Sequence, residues 1–209
     1  MANNPINPNG FSPVSTIAGA SWNQQARTYF IPAADTNAYY VGMAVKSATG
    51  TDTTNGLPQV QPSTGVTTEL QRGVIVGVFV VPPVGNASSL VGQALPLEQT
   101  YAPATKTRNY YLAVVDDPQV IFEIQDDGGA ASVAANASKN ATFTVVAPTS
   151  PQQQSATVLT TGAGIATTQG FPLKILGLSQ KYTNILGNNY TRYLVKFNQH
   201  ELLGNTVGI

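Results

Sequence analysis

The stretch Gln71-Arg-Gly-Val-Ile-Val-Gly-Val-Phe-Val-Val81 has the strongest β-strand pattern in this chain of 209 residues. Side chains alternate between the two faces of a strand, so the valines at 74, 76, 78 and 80 are expected on one face. Ile75, Phe79 and Val81 are expected on the other face. Apolar residues on both faces predict a strand that protein covers on both sides. Gly73 and Gly77 permit a bulge or a bend within it.

Other short runs with strand-like composition surround this stretch, separated by Gly, Pro, Asn and Thr. No segment of 12 or more residues has the apolar spacing of an amphipathic helix. The sequence therefore predicts an all-β fold, as a jelly roll or a β-sandwich or barrel-like domain, with a single β domain over 26–209. The expected strands cover 27–31, 39–46, 94–97, 110–115, 120–125, 142–146, 157–160, 173–178 and 190–198.

Two of these runs predict which face each residue occupies. In 120–125, Val120, Phe122 and Ile124 share one face, while Glu123 and Gln125 lie on the other with Ile121. In 190–198, the residues at 191, 193, 195 and 197 alternate with more polar neighbours. The turn between 116 and 119, Asp-Asp-Pro-Gln, joins two strands, because Asp accepts hydrogen bonds from local backbone and Pro presets φ.

Residues 1–25 are interpreted as an extended arm. Prolines at 5, 8 and 13 disfavour both a helix interior and a central strand. The arm nevertheless carries Ile6, Phe11 and the only tryptophan, Trp22. Either these side chains pack on the chain's own domain, or they are interface residues that reach a neighbouring subunit. We take Ile6, Phe11 and Trp22 as the candidate interface.

Composition excludes several classes of function. Ten Lys and Arg balance ten Asp and Glu with no basic run, so nucleic acid is not an expected partner. No apolar run approaches the roughly 18 residues that span a bilayer, so no membrane partner is expected, and the first residues lack the pattern of a secretory signal. There is no cysteine and a single histidine, His200. Cysteine-based and multi-histidine metal sites are therefore not expected.

The remaining chemistry is sparse. The acids at 116, 117, 123, 126 and 127 form the only cluster, which suits ordinary Asp-Asp-Pro and Asp-Asp-Gly turns better than a calcium loop. A glycosidase using two of these carboxylates, or a base at His200, is a weaker alternative. The Gly-rich segment 161–166 lacks the ending of a phosphate-binding loop. We expect no enzyme activity, no metal and no cofactor.

Several stretches of the chain resemble small structural proteins of tailed bacteriophages. One is the Asn- and Pro-rich start, 1–13, and another is Val115-Asp-Asp-Pro-Gln-Val-Ile-Phe-Glu-Ile-Gln-Asp-Asp-Gly128. Near the end of the sequence, Phe171-Pro-Leu-Lys-Ile-Leu-Gly-Leu178, Tyr182-Thr-Asn-Ile-Leu-Gly-Asn-Asn-Tyr190 and Tyr193-Leu-Val-Lys-Phe-Asn-Gln-His200 share the likeness. These motifs are patterns of strands and turns and contain no catalytic signature.

The resemblance implies a capsid cement, or decoration, protein. Such proteins are made in the host cytoplasm, bind the outer face of an icosahedral head and stabilise it. It implies the major capsid protein as partner, together with further copies of this chain in a dimer or trimer. It carries no catalytic or binding residues over to this sequence. The alternative is a fibre or adhesin-type β domain that binds a host glycan through surface aromatics.

Overall fold

The computed structural model describes residues 4–80, 101–149 and 154–203, and nearly all regular structure in them is β. The all-β prediction is confirmed. Short 3-10 helices cover Ala134–Asn136, Gly162–Gly164 and Glu201–Leu203. The expected strand over 94–97 lies outside the described residues. The strands are β1 Ser12–Thr16, β2 Arg27–Ile31, β3 Tyr39–Tyr40, β4 Ala44–Thr51, β5 Pro58–Pro62, β6 Gly73–Phe79, β7 Tyr101–Ala102, β8 Tyr110–Val115, β9 Val120–Gln125, β10 Asn140–Ala141, β11 Phe143–Thr144, β12 Val158–Leu159, β13 Ile165–Ala166, β14 Leu173–Leu178 and β15 Arg192–Phe197.

Five strands close into a barrel in the order β2-β5-β4-β6-β8, with β8 returning to β2. The β2–β5 pair is parallel and the other pairs are antiparallel. An antiparallel sheet of six strands has the order β1-β9-β15-β14-β10-β13. Two pairs of short strands, β3–β7 and β11–β12, complete the fold.

Strand β6 separates two hydrophobic cores, as its two apolar faces predict. Ile75 points into the barrel with residues such as Tyr29 and Leu112. Val74 packs on the opposite side, in the core that the six-stranded sheet forms with Phe122 and Phe197. The cover that the sequence demands on both faces is therefore supplied within one chain.

The predicted faces of β6 hold only as far as Gly77. The register against β8 shifts between Ile75 and Gly77, which marks a bulge. Beyond it, Val78 and Val80 join Ile75 in the barrel core, whereas Val76 still packs with Val74. The expectation that Val78 and Val80 share a face with Val74 is wrong, because the extra residue of the bulge inverts the alternation. In β9 and β15, the predicted inward residues are all buried.

The first part of the chain is built into the domain. Within the expected arm, Ser12–Thr16 forms β1 and pairs with β9. Phe11 is only 2% exposed, and its ring meets Phe122, Phe143 and Phe197 at centroid distances of 6.1, 5.1 and 5.5 Å. The interface assignment of Phe11 is therefore wrong, because its ring fills the core of its own chain. Proline tolerance at a sheet edge explains why Pro13 did not prevent a strand.

A close crossing of two backbone segments brings Phe11 into this core. Gly10 and Gly42 both have positive φ, at +69° and +86°. A Cβ atom on Gly10 would lie 2.2 Å from the Gly42 carbonyl oxygen, which accepts a hydrogen bond from the Phe11 N–H at 2.8 Å. Glycine alone tolerates both a positive φ and so short a distance to another backbone segment, because it has no Cβ atom.

We predict that Phe11→Ala lowers the free energy of unfolding by about 3–5 kcal/mol, because it leaves a large cavity among three rings. Ile6→Ala is the matched control, since Ile6 is 64% exposed and its loss should cost less than about 0.5 kcal/mol. Urea unfolding followed by circular dichroism measures both changes. Equal, small effects in the two variants would contradict the placement of Phe11.

Candidate interaction surface

The side chains of the clustered acids form hydrogen bonds within turns and ion pairs with basic residues. Asp116 is buried, accepts a hydrogen bond from the Tyr29 hydroxyl at 2.6 Å and lies 3.3 Å from an Arg27 nitrogen. Asp117 accepts from the Gln119 N–H within the predicted turn. Asp127 accepts from the Gly129 N–H and from the Thr161 hydroxyl. Turn hydrogen bonds therefore account for Asp117 and Asp127, whereas Asp116 is held by the side chains of Tyr29 and Arg27 in β2.

Asp126 differs from the other acids of the cluster, because one of its buried carboxylate oxygens lacks a hydrogen-bond partner among the described residues and its pKa is raised. Its Oδ1 accepts from the Gly128 N–H at 2.9 Å, while its buried Oδ2 has no partner among the described residues. Burial raises the pKa of Asp126 to about 6, and the nearby Asp127 charge acts in the same direction. Backbone hydrogen bonds to its carboxylate oppose the shift without cancelling it.

His200 is also buried, directly after β15. Its Nδ1 accepts a hydrogen bond from the Leu202 N–H at 3.0 Å, and its Nε2 has no partner in the described part of the chain. Burial lowers the pKa of His200 to about 4, assisted by the charge of Arg72 and opposed by that of Glu201. The imidazole is therefore neutral at pH 7, and it is packed beside Phe197.

Within residues 4–80, 101–149 and 154–203, no three His, Asp or Glu side chains lie close enough to share a metal ion. No helix in the same ranges has the length and apolar character that a membrane crossing requires.

Glu123 and Gln125 on the polar face of β9 are buried under residues 179–190 of the segment that joins β14 to β15, which we call the 179–190 loop. Glu123 is covered by three partners, namely Lys181 at 2.6 Å, Ser179 at 2.6 Å and Arg192 at 3.3 Å. Burial alone would raise the pKa of Glu123, but the hydrogen bonds and charges of these partners outweigh it and lower the pKa. The carboxylate thus ties the start of the loop to the sheet, and it also contacts Arg192 at the beginning of β15.

Gln125 ties a second segment, residues 4–9, to the same face. Its Nε2 donates to the carbonyl oxygens of Pro5 and Tyr190, both at 2.8 Å, and its Oε1 accepts from the Asn7 N–H at 2.9 Å. Both N–H groups of the Gln125 amide and one of the two lone pairs of its oxygen therefore form hydrogen bonds. This buried side chain therefore holds the start of the chain against the end of the 179–190 loop.

Two asparagine side chains fix the interior of the loop. Asn184 donates to the Ser179 and Arg192 carbonyls and accepts from the Arg192 N–H, all at 2.8 Å. Asn4 accepts from the Ile185 N–H at 3.0 Å and donates to the Ile185 carbonyl at 3.3 Å. These contacts replace the ladder bonds that the loop lacks, and they hold its backbone in one conformation.

The outer side of this anchored loop is apolar. Tyr182 is 99% exposed, Ile185 is 57% exposed and Leu186 is about half exposed. We call these three side chains the apolar tip. The segment 182–190 contains no charged residue. Ile6 is also exposed and lies between Pro5 and Asn7, which both contact Gln125. The structure thus combines a fixed backbone with exposed apolar side chains, an arrangement suited to docking on another surface.

The three predicted interface residues have different outcomes. Ile6 lies on the surface beside the 179–190 loop, and its role in an interface stays a prediction. Phe11 is in the core. Trp22 is half-buried and packs against the same core, so most of its surface is used within the chain. The apolar tip was missed because residues 182–190 were interpreted only as part of a pattern of strands and turns. The available signal was the presence of four large apolar or aromatic residues among the nine at 182–190, namely Tyr182, Ile185, Leu186 and Tyr190.

Comparisons of this chain with protein-family models, with curated proteins and with solved structures return no match.

We predict that Asp126 and His200 give opposite pH dependences of stability. The pKa of Asp126 is about 6 in the folded chain, against an ordinary value of 3.8. Its contribution to the free energy of unfolding is therefore present at low pH and is lost as the pH rises through 6. The pKa of His200 is about 4 against 6.5, so its contribution is lost as pH falls through this range. Each group changes the free energy of unfolding by at most about 1.4 kcal/mol per pH unit. The two changes have opposite signs and largely cancel.

Urea unfolding between about pH 5 and 6 should therefore show a nearly flat free energy of unfolding for the wild type. Asp126→Asn should lose stability on acidification, because only the His200 effect remains. His200→Gln should gain stability on acidification. Parallel pH profiles for the two variants would refute the assigned shifts.

We also predict that metal removal has no effect. The midpoint of thermal unfolding should be the same in EDTA and in excess Ca²⁺, because the acids at 116, 117, 123 and 127 already bind protein groups. A marked fall in EDTA that Ca²⁺ reverses would show that a bound ion stabilises the fold.

Proposed function

We propose that this chain is a virion structural protein, a cement protein that binds the outer surface of a tailed-phage head and stabilises it. The observation that carries the proposal is the 179–190 loop, which presents an uncharged apolar tip on a backbone anchored by buried side chains. The partner is the major capsid protein. The sequence resemblance supplies the class of particle, and the loop supplies a means of attachment.

Anchoring matters because binding loses less entropy when the binding loop is already ordered. Interface hot spots are enriched in tyrosine and other large side chains that become fully desolvated. Tyr182 is almost fully exposed and Ile185 is more than half exposed, and Asn4, Asn184 and Gln125 hold the backbone beneath them.

The low charge of the chain supports the same function. Only 10% of residues are charged, against about 25% in typical domains. The apolar tip carries no ion pair, so attachment through it is weakly screened by salt. A particle that meets widely different ionic conditions benefits from such contacts.

The described aromatic residues favour this function over glycan binding. Tyr39, Tyr110 and Tyr111 are buried, and Tyr182 is the one strongly exposed aromatic ring among the described residues. Tyr40 and Tyr101 stack at a centroid distance of 5.6 Å and are partly buried, so Tyr182 is the ring most fully presented to a partner among the described residues. We likewise propose no catalytic role, since the clustered carboxylates contact protein groups.

The test uses phage heads assembled without this chain and the purified protein added back. We predict that Ile185→Ser and Tyr182→Ser each weaken head binding by about 30-fold or more, which corresponds to roughly 2 kcal/mol. Val66→Ser is the matched control, because Val66 is 56% exposed and lies outside the loop. Co-sedimentation of protein with heads measures the occupancy.

All variants should keep the unfolding transition of the wild type, since the changed side chains are exposed. The affinity of the wild type should change by less than about threefold between low and high salt. Wild-type protein that fails to bind heads would contradict the cement function. Normal binding by both loop variants would instead exclude the loop as the attachment site.

A further inference from the structure

An open cavity of about 220 Å³ lies beside the apolar tip. Residues of the segment 4–9 and of the 179–190 loop line it, among them Thr183, which directly follows Tyr182 of the tip. One water molecule takes up about 30 Å³ of the liquid, so the cavity has room for a side chain. A partner that docks on the tip would therefore also cover this cavity.

Arg192 carries the only charge among the described residues that line the cavity. Its Nη1 contacts Glu123 at 3.3 Å and the side-chain oxygen of Asn9 at 3.4 Å, and its Nη2 donates to the Asn7 carbonyl at 2.7 Å. A guanidinium has five N–H donors, and these contacts use one donor each. The Nε–H and one Nη2–H are therefore left for a further acceptor.

Positive charge is in excess around the cavity. Lys181 and Arg192 share a single carboxylate, that of the buried Glu123, at 2.6 and 3.3 Å. The sequence of the segment 4–9 and of 179–192 contains no Asp or Glu. Two cations against one anion leave one positive charge over. An acidic group of the partner would balance this charge.

We propose that the cavity receives an Asp or Glu side chain of the capsid subunit on which the tip docks. Arg192 donates its two remaining N–H groups to that carboxylate. The Thr183 hydroxyl is exposed and makes no hydrogen bond to a described residue, so it supplies a third donor. An ionised carboxylate only accepts hydrogen bonds, and those from a guanidinium are about twice as strong as neutral ones.

This inference rests on the proposed function and adds the chemistry of the partner, an apolar surface that carries one acid. The pair forms inside a cavity that the docked partner closes, so salt screens it less than an exposed pair. The weak salt dependence expected for the tip is therefore kept. The acid instead determines which surface is accepted and in which orientation, as charge complementarity commonly does at interfaces.

Thr183→Asp and Thr183→Asn are the matched test, because the two new side chains have the same shape and differ in charge. The new carboxylate pairs with Arg192 and repels that of the partner. In co-sedimentation with heads assembled without this chain, Thr183→Asp should bind at least tenfold more weakly than Thr183→Asn. Gln180→Glu adds the same charge to the loop outside the cavity, on an exposed side chain, and should bind within threefold of the wild type.

Equal binding by Thr183→Asp and Thr183→Asn overturns the inference. A tenfold loss in Gln180→Glu overturns it as well, because negative charge anywhere on the loop would then be responsible. Arg192 is left unchanged in these variants, since it also holds Glu123 and Asn7 in place.

A test without heads separates this inference from the proposed function. In nuclear magnetic resonance titrations at equal ionic strength, sodium acetate should shift the Arg192 Nε–H and Gln125 side-chain amide signals to saturation, and sodium chloride should not. Thr183→Asp should abolish the shift. Equal responses to acetate and chloride overturn the carboxylate site. A response to glucuronate more than tenfold tighter than to acetate would assign an acidic sugar and overturn the capsid side chain. Wild-type protein that responds to acetate but does not bind heads would contradict the proposed function.

Discussion

A single strand with apolar side chains on both faces determines how the rest of the chain must be arranged. Ile75 and Val74 are neighbours in β6, yet they are buried in different cores. The barrel covers one face of the strand. The other face needs a second layer, which the six-stranded sheet supplies with the rings of Phe11, Phe122 and Phe197. The start of the chain is therefore required for the fold, because Phe11 completes that second layer.

This two-layer arrangement also explains the site. The apolar face of β9 is used in the core, so Glu123 and Gln125 are directed to the opposite side. Buried polar groups require partners, and here the partners are the 179–190 loop and the segment 4–9. The requirement to satisfy Glu123 and Gln125 fixes the loop backbone, and the apolar tip remains outside. The polar contacts that stabilise the sheet thus also preorganise the surface that we propose for docking.

The sequence predicted the parts of the fold that depend on local alternation. The faces of β9 and β15 follow directly from period-two patterns. The pattern failed in β6, because a bulge at Gly77 depends on the pairing with β8 and leaves no mark in the apolar residues. The sequence also failed to predict the burial of Phe11. Proline and glycine indicate that a segment is extended, but they do not indicate which residues pack on its side chains. The anchoring of the apolar tip could not be predicted, because it depends on Asn4, which is 181 residues from Ile185 in the sequence.

The most direct measurement of the central claim is a cryo-electron microscopy reconstruction of phage heads that carry this protein. We expect density for the chain over the outer surface of the head, with Tyr182 and Ile185 in contact with a capsid subunit. The loop backbone should keep the conformation held by Asn184 and Gln125. Heads without such density, or density for this chain confined to the tail tip, would contradict the account.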